Sequence, residues 1–257
     1  MKDFFEATSD ILGELNHTDK QLFEYVIKNM NRVKEMSIQK FAQEVFLSTT
    51  TIFRFTQKLG FSGYSDFINC LLITSYNSKQ EQVVPVLLKK GYNRQYIDNA
   101  TETIRVMSPN QIEKIIAVLN KKPNIYILTD DNTRPIAQYS EKLFIALELH
   151  TYAPENAYQL QHLANHIDNN DMLIALSYSG QDKAMIDFIE RVFLAKRPFL
   201  MSITRADNNT LESLSDANLY IFAEEVTQGN IDLTSCVPML MILELLVYQH
   251  IGQAATI

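Results

Sequence analysis

Cysteine, glycine and proline are scarce in this sequence, and tryptophan is absent. The 257 residues include two cysteines, seven glycines and seven prolines, while 46% of the chain is hydrophobic and 21% is charged. This composition is typical of packed globular domains and excludes collagen-like, low-complexity and disordered chains. Cys70 and Cys236 lie far apart with no second Cys or paired His beside them, which argues against a disulfide framework or a zinc site. We expect both to be buried thiols.

Long apolar runs are also missing. No window approaches the roughly 18 uninterrupted apolar residues of a membrane-spanning helix. The first residues, MKDFFE, have neither the basic region nor the apolar core of a signal peptide. The sequence therefore predicts a cytoplasmic protein. Its length suits two domains rather than one, because domains commonly hold about 100–200 residues.

The net charge of −7 argues against nucleic-acid binding by the chain as a whole. The charge is unevenly distributed, however. Residues 1–79 hold nine basic and nine acidic side chains, so the acidic excess lies beyond them. Between positions 28 and 60, six basic residues stand against two acidic ones. Such a locally positive segment inside an acidic chain suits a DNA-binding face.

Helical spacing of apolar residues predicts a bundle of short helices at the start of the chain. One helix is expected behind an N-cap at Thr18 and a second after Ser37. A third begins at Ser48 and is stopped by Gly60, and another over residues 64–76 closes the bundle. The short gap between the second and third helices suits the sharp corner of a helix-turn-helix rather than antiparallel packing.

The third of these helices carries side chains that suit DNA contact. A helix-turn-helix inserts the N-terminal end of its last helix into the major groove, where hydroxyls reach phosphates or a thymine methyl and arginine pairs with guanine. Three threonines in one first turn have poor helix propensity, which favours a contact role for the segment. Taken singly, Ser48 is equally well explained as a cap and Arg54 as a surface charge. The predicted DNA-binding residues are Ser48, Thr49, Thr50, Thr51, Arg54 and Lys58.

Three segments of this region resemble the N-terminal domain of the RpiR family. They are SIQKFA from Ser37, STTTIFRF from Ser48 and KLGFSGYSDF from Lys58. The resemblance covers nearly all of residues 18–72. It implies a winged or extended helix-turn-helix that binds operators as a dimer, with the helix from Ser48 to Lys58 reading the DNA.

Beyond residue 92 the pattern of apolar residues changes and predicts alternating strands and helices. After two helices, at 92–107 and 109–120, strands are predicted at 125–128, 172–176, 199–203 and 219–222, with an extra one near 149–153. Helices are expected between them at 136–147, 185–195 and 211–214, and a last apolar helix at 233–250 packs on the sheet or on another subunit. Repeated βα units predict a doubly wound parallel sheet flanked by helices.

These patterns divide the chain into three parts. An all-helical helix-turn-helix domain is predicted at 1–77, a linker with a connecting helix at 78–107, and an α/β domain at 108–257. The best linker candidate is the stretch 77–91, which is polar at first and is broken by Pro85 and Gly91.

A polar turn follows the predicted strand at 172–176 and precedes a helix. In open parallel sheets, ligands bind at the carboxyl ends of strands, where helix N-termini offer amides to phosphate. A turn of this kind is equally common as plain structure. The sequence SYSGQD, however, resembles the Ser-x-Ser-Gly-x-Thr loop of the sugar isomerase (SIS) domain, the usual partner of the RpiR helix-turn-helix, and the likeness extends over roughly residues 115–250. It implies a sugar-phosphate site formed by Thr133, Ser177, Ser179, Gly180, Gln181 and Asp182.

Several positions depart from the SIS pattern. Asp182 replaces the usual threonine, and TDDNT at 129–133 replaces Gly-x-Gly-x-Ser, keeping the hydroxyl of Thr133. Ser235-Cys236 replaces an expected Ser-Arg. Carboxylates repel a bound phosphate, although Arg134 offers a counter-charge. Three outcomes stay open: a less phosphorylated or amino-bearing ligand, a rearranged site, or a site that senses nothing.

A sugar-phosphate isomerase is the main alternative, since the SIS fold also hosts such enzymes. It needs a general base, and the candidates are scattered without a visible partner that would tune a pKa: His150, Glu155, His162, His166 and His250. His162 and His166 have a metal-compatible spacing, but no third ligand is evident. A third alternative is an α/β domain that only dimerises.

We therefore expect a DNA-binding transcription regulator of carbohydrate metabolism. It is expected to have no catalytic residues, no metal and no cofactor. Its expected partners are double-stranded operator DNA, a small sugar or sugar-phosphate effector, and further copies of itself in a homodimer or tetramer, with no membrane.

Overall fold

The computed structural model describes residues 4–8, 10–79, 92–229 and 231–254. The chain divides into two compact units, residues 1–98 with 206–208 and residues 99–205 with 209–257. Most of the expected linker lies outside the described residues, and its first three positions continue a helix. The domain bounds expected from the sequence stay a prediction. Within the described ranges, no helix combines the length and apolarity that crossing a bilayer requires.

The first unit is built from short helices around a core of aromatic rings. Phe4, Phe23, Phe55 and Phe67 are fully buried, and the rings of Phe4 and Phe23 stack with centroids 5.6 Å apart. No strand occurs among its described residues, so the expected helix-turn-helix is extended by helices rather than winged. The helices are α1 (Phe4–Thr8), a 3-10 turn (Leu12–Glu14), α2 (His17–Lys28), α3 (Met30–Val33), α4 (Ile38–Glu44), α5 (Thr49–Lys58), α6 (Tyr64–Lys79) and α7 (Tyr92–Arg105), which continues into the second unit.

The start of the chain differs from the sequence-based expectation. No helical spacing predicts α1, although its Phe4 belongs to the core. The N-cap of α2 is Asn16, whose Oδ1 accepts the N–H of Asp19 at 2.9 Å. The assignment of Thr18 as the cap is wrong, because asparagine caps at least as well as threonine and stands two residues earlier.

α4 and α5 end in the same backbone motif with different residues at the critical position. In a Schellman motif, the residue after the C-cap adopts a left-handed conformation, which glycine does at little cost. Gly60 (φ 86°) fills this position after α5. After α4 it is Phe46 (φ 54°), where the Leu47 N–H reaches back to the Ala42 carbonyl at 2.9 Å. The Phe46 side chain is 93% exposed, so packing does not compensate for this strained backbone.

The second unit is a five-stranded parallel sheet between two layers of helices. The strands lie in the order β2-β1-β3-β4-β5. They are β1 (Ile125–Thr129), β2 (Thr151–Tyr152), β3 (Met172–Leu176), β4 (Phe199–Arg205) and β5 (Ala217–Ile221). The helices are α8 (Pro109–Leu119), α9 (Arg134–Ile145), α10 (Ala157–Leu163), α11 (Lys183–Phe193), α12 (Thr210–Leu214) and α13 (Val237–Ala254), with a hairpin of β6 (Thr227–Gln228) and β7 (Ile231–Asp232) before α13.

Both faces of this sheet are covered. α8, α9 and α13 pack on one face, and α10, α11 and α12 pack on the other. The central strand β3 is buried at every position, which is why its sequence, MLIAL, is apolar throughout rather than alternating. The predicted doubly wound sheet is confirmed.

Two expectations about the end of the chain need correction. The last helix begins at Val237 rather than at position 233, because the hairpin and Ser235 occupy the preceding positions. The Ser235 hydroxyl accepts the Val237 N–H at 3.3 Å. Cys70 is buried as expected, but Cys236 lies in the loop ahead of α13 and is only partly buried.

Candidate functional sites

The first turn of α5 is exposed and is capped by its own serine. The Ser48 Oγ accepts the Thr51 N–H at 3.1 Å, and the two hydroxyls are hydrogen-bonded at 2.9 Å. Thr49 and Thr50 are exposed, whereas Thr51 is partly buried. Among the predicted contact hydroxyls, those of Ser48 and Thr51 therefore pair with each other, and those of Thr49 and Thr50 point to the surface of the unit.

The two basic residues of the predicted DNA-binding set differ in their surroundings. Arg54 is exposed on α5. Lys58 is ion-paired with the carboxylate of Asp19 on α2, whose side chain is only 6% exposed. A DNA phosphate would have to compete with Asp19 for the Lys58 ammonium. Lys58 thus fastens α5 to α2, and Arg54 is the better candidate for a base contact.

A shallow depression lies between the starts of α4 and α5. It is lined by Ile38, Gln39, Thr49, Thr50 and Phe53. A Cβ added at Gly63 would lie 3.3 Å from Phe53 Cε2, so the glycine leaves room for this ring. The sequence-based site does not include Phe53, although a signal exists: Phe53 falls outside the buried stripe formed by Ile52 and Phe55 of α5 and by Leu59, the C-cap residue.

In the second unit, the loop between β1 and α9 is closed by Asp130. Its Oδ1 accepts the Thr133 N–H at 3.0 Å and lies 2.8 Å from the Thr133 hydroxyl. The same hydroxyl lies 2.8 Å from the carbonyl of Leu176 at the end of β3. Thr133 is fully buried, so its hydroxyl joins two strand ends instead of facing solvent.

The loop after β3 is also held by internal bonds. Ser177 is fully buried and its Oγ accepts the Gly180 N–H at 3.2 Å, while the exposed Ser179 accepts the Gln181 N–H at 3.2 Å. Gly180 has φ 60°, and a Cβ added there would lie 2.2 Å from Asn209 Oδ1. Only glycine fits this position, because both the backbone angle and the neighbouring side chain exclude a larger residue.

Tyr178 links the same loop to the segment ahead of α13. Its hydroxyl donates to the Ser235 carbonyl at 2.6 Å, and burial raises the pKa of this phenol above its usual value. The sequence-based site omits Tyr178, since nothing local in SYSGQD indicates a partner 57 residues away.

Asp182 caps α11. Its Oδ1 accepts the Met185 N–H at 2.8 Å. A phosphate bound at a helix start uses the same kind of amide. At this helix, the protein's own carboxylate already occupies one of them.

A cleft of about 220 Å³ opens at the carboxyl edge of the sheet, between the starts of α9 and α11. We call it the acidic cleft, because its lining includes Asp130, Asp131, Glu155 and Asp182 against one cation, Arg134. Arg134 is paired at 2.8 Å with Asp131. Of the predicted ligand residues, Asp182 lines this cleft. Thr133, Ser177 and Gly180 are buried, and Ser179 and Gln181 are exposed.

Comparison with known families assigns both units. Residues 6–78 match the helix-turn-helix domain of the rpiR family, and residues 118–248 match the SIS domain. The chain belongs to the RpiR family and carries a SIS domain. The likeness to both families expected from the sequence is thus confirmed. This RpiR-type protein is a DNA-binding transcription regulator.

Individual relatives agree with this assignment. The HTH-type transcriptional regulator GlvR of Bacillus subtilis is 23% identical over 223 residues, which cover 86% of this chain and 84% of GlvR. The Vibrio vulnificus NanR protein complexed with ManNAc-6P has a TM-score of 0.57 at 18% identity and covers 93% of this chain and 88% of its own. A putative phosphosugar isomerase from Bacteroides fragilis has a TM-score of 0.54 at 20% identity over 63% of this chain and 89% of its own. The two structural likenesses show a shared fold.

The candidate bases for an isomerase are not gathered into one site in the RpiR-type regulator. His150 and Glu155 are exposed, and Glu155 lines the acidic cleft. His162 and His166 stack on each other at the surface with ring centroids 5.3 Å apart. His250 is partly buried on α13. No group of three or more potential metal ligands occurs in the part of the chain that the structure describes.

Proposed function

We propose that this protein is a cytoplasmic regulator of carbohydrate metabolism whose DNA binding responds to a small sugar effector in the acidic cleft. The observation that carries the proposal is the position of the cleft. It lies at the carboxyl ends of parallel strands where the starts of α9 and α11 converge, which is where ligands bind in open α/β sheets. The regulator binds a two-fold symmetric operator as a dimer or tetramer.

The charge of the cleft argues for an effector that is not dianionic. Asp130 accepts an N–H ahead of α9, and Asp182 accepts one in the first turn of α11. One backbone N–H at each of these two positions therefore already serves a carboxylate, and the carboxylates repel a second anion. We propose a neutral or amino-bearing sugar, or a sugar phosphate bound more weakly than in sites without these acids. The Vibrio vulnificus NanR protein, which is complexed with ManNAc-6P, supports a sugar derivative as the effector but not the absence of a phosphate.

The protein acts as a regulator rather than an isomerase in this proposal. Isomerisation needs an acid and a base positioned on one substrate. The scattered histidines do not offer such a pair, and Glu155 has no titratable histidine beside it among the residues that line the cleft. We expect no turnover of hexose phosphates. Turnover that is abolished by changing one histidine or Glu155 would support an enzyme instead.

A thermal-shift experiment on the full chain tests the effector. The panel contains hexoses, amino sugars and N-acetylated amino sugars, each with and without a 6-phosphate. A ligand at a hundred times its dissociation constant stabilises the folded state by about 2.7 kcal/mol, which gives a clear shift in melting temperature. Binding compounds are then added to operator DNA complexes, whose affinity should change.

Two results would contradict the proposal. One is a panel in which no compound shifts the melting temperature while Ser179→Ala leaves regulation intact. The SIS domain would then be a dimerisation scaffold. The other is tighter binding of every phosphorylated sugar than of its unphosphorylated form, which would contradict the charge argument alone.

A further inference from the structure

Phe53 is an exposed aromatic residue on the helix that reads DNA. Its side chain is 41% exposed, whereas Ile52 and Phe55 on the same helix are fully buried. The core of the unit is therefore complete without it. A single exposed ring is common on protein surfaces, whereas a ring that adjoins other apolar side chains forms a patch that can contact a ligand.

The Phe53 ring borders a shallow, mostly apolar depression, to which Gln39 adds one polar side chain. The depression between the starts of α4 and α5 is lined by the Phe53 ring, the aliphatic chain of Ile38 and the methyl-bearing Thr49 and Thr50. Gly63 leaves room for the ring, because a Cβ added there would lie 3.3 Å from Phe53 Cε2. The depression is shallow and open, so its apolar lining can be reached by a small group that projects from a DNA groove, such as a methyl group.

The charges beside the depression favour DNA as its occupant. Lys40 on α4 and Arg54 on α5 are exposed on the same helix pair. The N-terminal end of the second helix of a helix-turn-helix lies in the major groove. There, thymine presents its C5-methyl group, and Thr methyls and Phe are the side chains that contact it.

We propose that Phe53, with Ile38 and the methyl groups of Thr49 and Thr50, forms a recess that accepts a thymine C5-methyl group of the operator. Phe53 is then a specificity-determining residue for DNA reading. The inference rests on the operator binding of the proposed function, but it does not depend on an effector.

Thymine-to-uracil substitution tests this inference directly. Duplexes that the full chain enriches from a random library serve as probes, and each thymine is replaced in turn by deoxyuridine. Burial of one methyl-sized group is worth about 0.8 kcal/mol, so the wild-type protein should lose about fourfold in affinity at one thymine per half-site. Phe53→Ala should bind the thymine and uracil probes equally. Leu72→Ala removes another exposed apolar side chain, 44% exposed on α6, and should keep the fourfold preference.

Gly63→Ala provides a second variant that keeps the ring. The added methyl pushes against Phe53 Cε2 and should reduce the preference for thymine without removing an aromatic residue. The inference is overturned if wild-type protein tolerates uracil at every position, or if Phe53→Ala retains the same uracil penalty. A change in sedimentation of Phe53→Ala without a change in thymine preference would instead assign the ring to an interface between copies. All three results are obtained on DNA that the protein binds, so they are distinct from a failure of operator binding.

Discussion

α5 and α11 both begin with a side chain that accepts an N–H from the first turn, but the chemistry of the two caps differs. Ser48 caps α5 with a neutral hydroxyl, whereas Asp182 caps α11 with a carboxylate. A helix start carries a partial positive charge that favours anions. The neutral cap of α5 leaves this partial charge uncompensated, whereas the Asp182 carboxylate offsets it beside the acidic cleft. The cap residue therefore decides whether the same structural element attracts or repels a phosphate.

Gly180→Ala should have the largest effect, because Gly180 lies in the loop that leads into α11 and has no room for a side chain. The new Cβ would meet Asn209 Oδ1 at 2.2 Å in a left-handed backbone conformation. Strain and overpacking together should lower the free energy of unfolding by about 2–5 kcal/mol. Gly229→Ala is the matched control, because its φ is 62° but nothing lies within 4 Å of the added Cβ. Denaturant unfolding that gives equal losses for both variants would contradict the close fit at Asn209.

Ser48→Asp should convert the cap of α5 into the kind found at α11. Aspartate caps as well as serine, so stability should change little. The added carboxylate repels DNA phosphates, and operator affinity should fall about 10- to 100-fold at low salt, with a smaller loss at high salt. Ser48→Asn provides a neutral cap of similar size and should stay close to wild type. Equal affinities of the Asp and Asn variants would show that the charge of the cap does not matter for DNA binding.

Phe46→Gly should stabilise the first unit by about 1 kcal/mol, since glycine adopts φ 54° without strain. The side chain is 93% exposed, so little packing is lost. Thermal unfolding of the full chain checks this prediction, with Phe46→Ala as the control that removes the ring but keeps the Cβ. A Phe46→Gly variant no more stable than Phe46→Ala would indicate that the backbone at this turn is unstrained.

Asp182→Asn should have the smallest effect and is the counterpart of the Ser48 variants. The amide keeps the acceptor for the Met185 N–H and removes the charge. Affinity for 6-phosphorylated sugars should rise roughly two- to fivefold, corresponding to about 0.3–1 kcal/mol. Binding of unphosphorylated sugars should be unaffected in the same calorimetric titration. A gain for both classes would point to a change in loop structure rather than in charge.

The sequence predicts most of the fold because its signals are local. The hydroxyl of Ser48, the glycine at position 60 and the apolar run of β3 each act within a few residues. The site is less predictable because its side chains are directed by distant partners. Lys58 turns to Asp19, 39 residues away, and Tyr178 to Ser235. A motif that marks Thr133 and Ser177 as ligands does not reveal that both are buried, with the Thr133 hydroxyl on the Leu176 carbonyl and the Ser177 hydroxyl on the Gly180 N–H.

The roles of Asp130 and Asp182 are also hard to predict from sequence, although each accepts an N–H from a residue close by in the chain. Asp130 and Asp182 are visible in the sequence as departures from the SIS pattern. Whether each carboxylate faces a ligand or its own helix depends on which backbone N–H groups lie within 3 Å. The sequence raises the question of charge, and the backbone geometry shows that Asp130 closes the loop ahead of α9 and that Asp182 caps α11.

The order of elements along the chain has a consequence for synthesis. α1 to α6 are complete at Lys79, before any strand of the sheet has been translated. Their contacts are largely local, and helical bundles of this kind fold within microseconds to milliseconds. The five-stranded sheet is incomplete until its last strand, the edge strand β5, ends at Ile221. On the ribosome, which adds about 5–20 residues per second, the DNA-reading unit therefore has seconds to fold before its sensor exists.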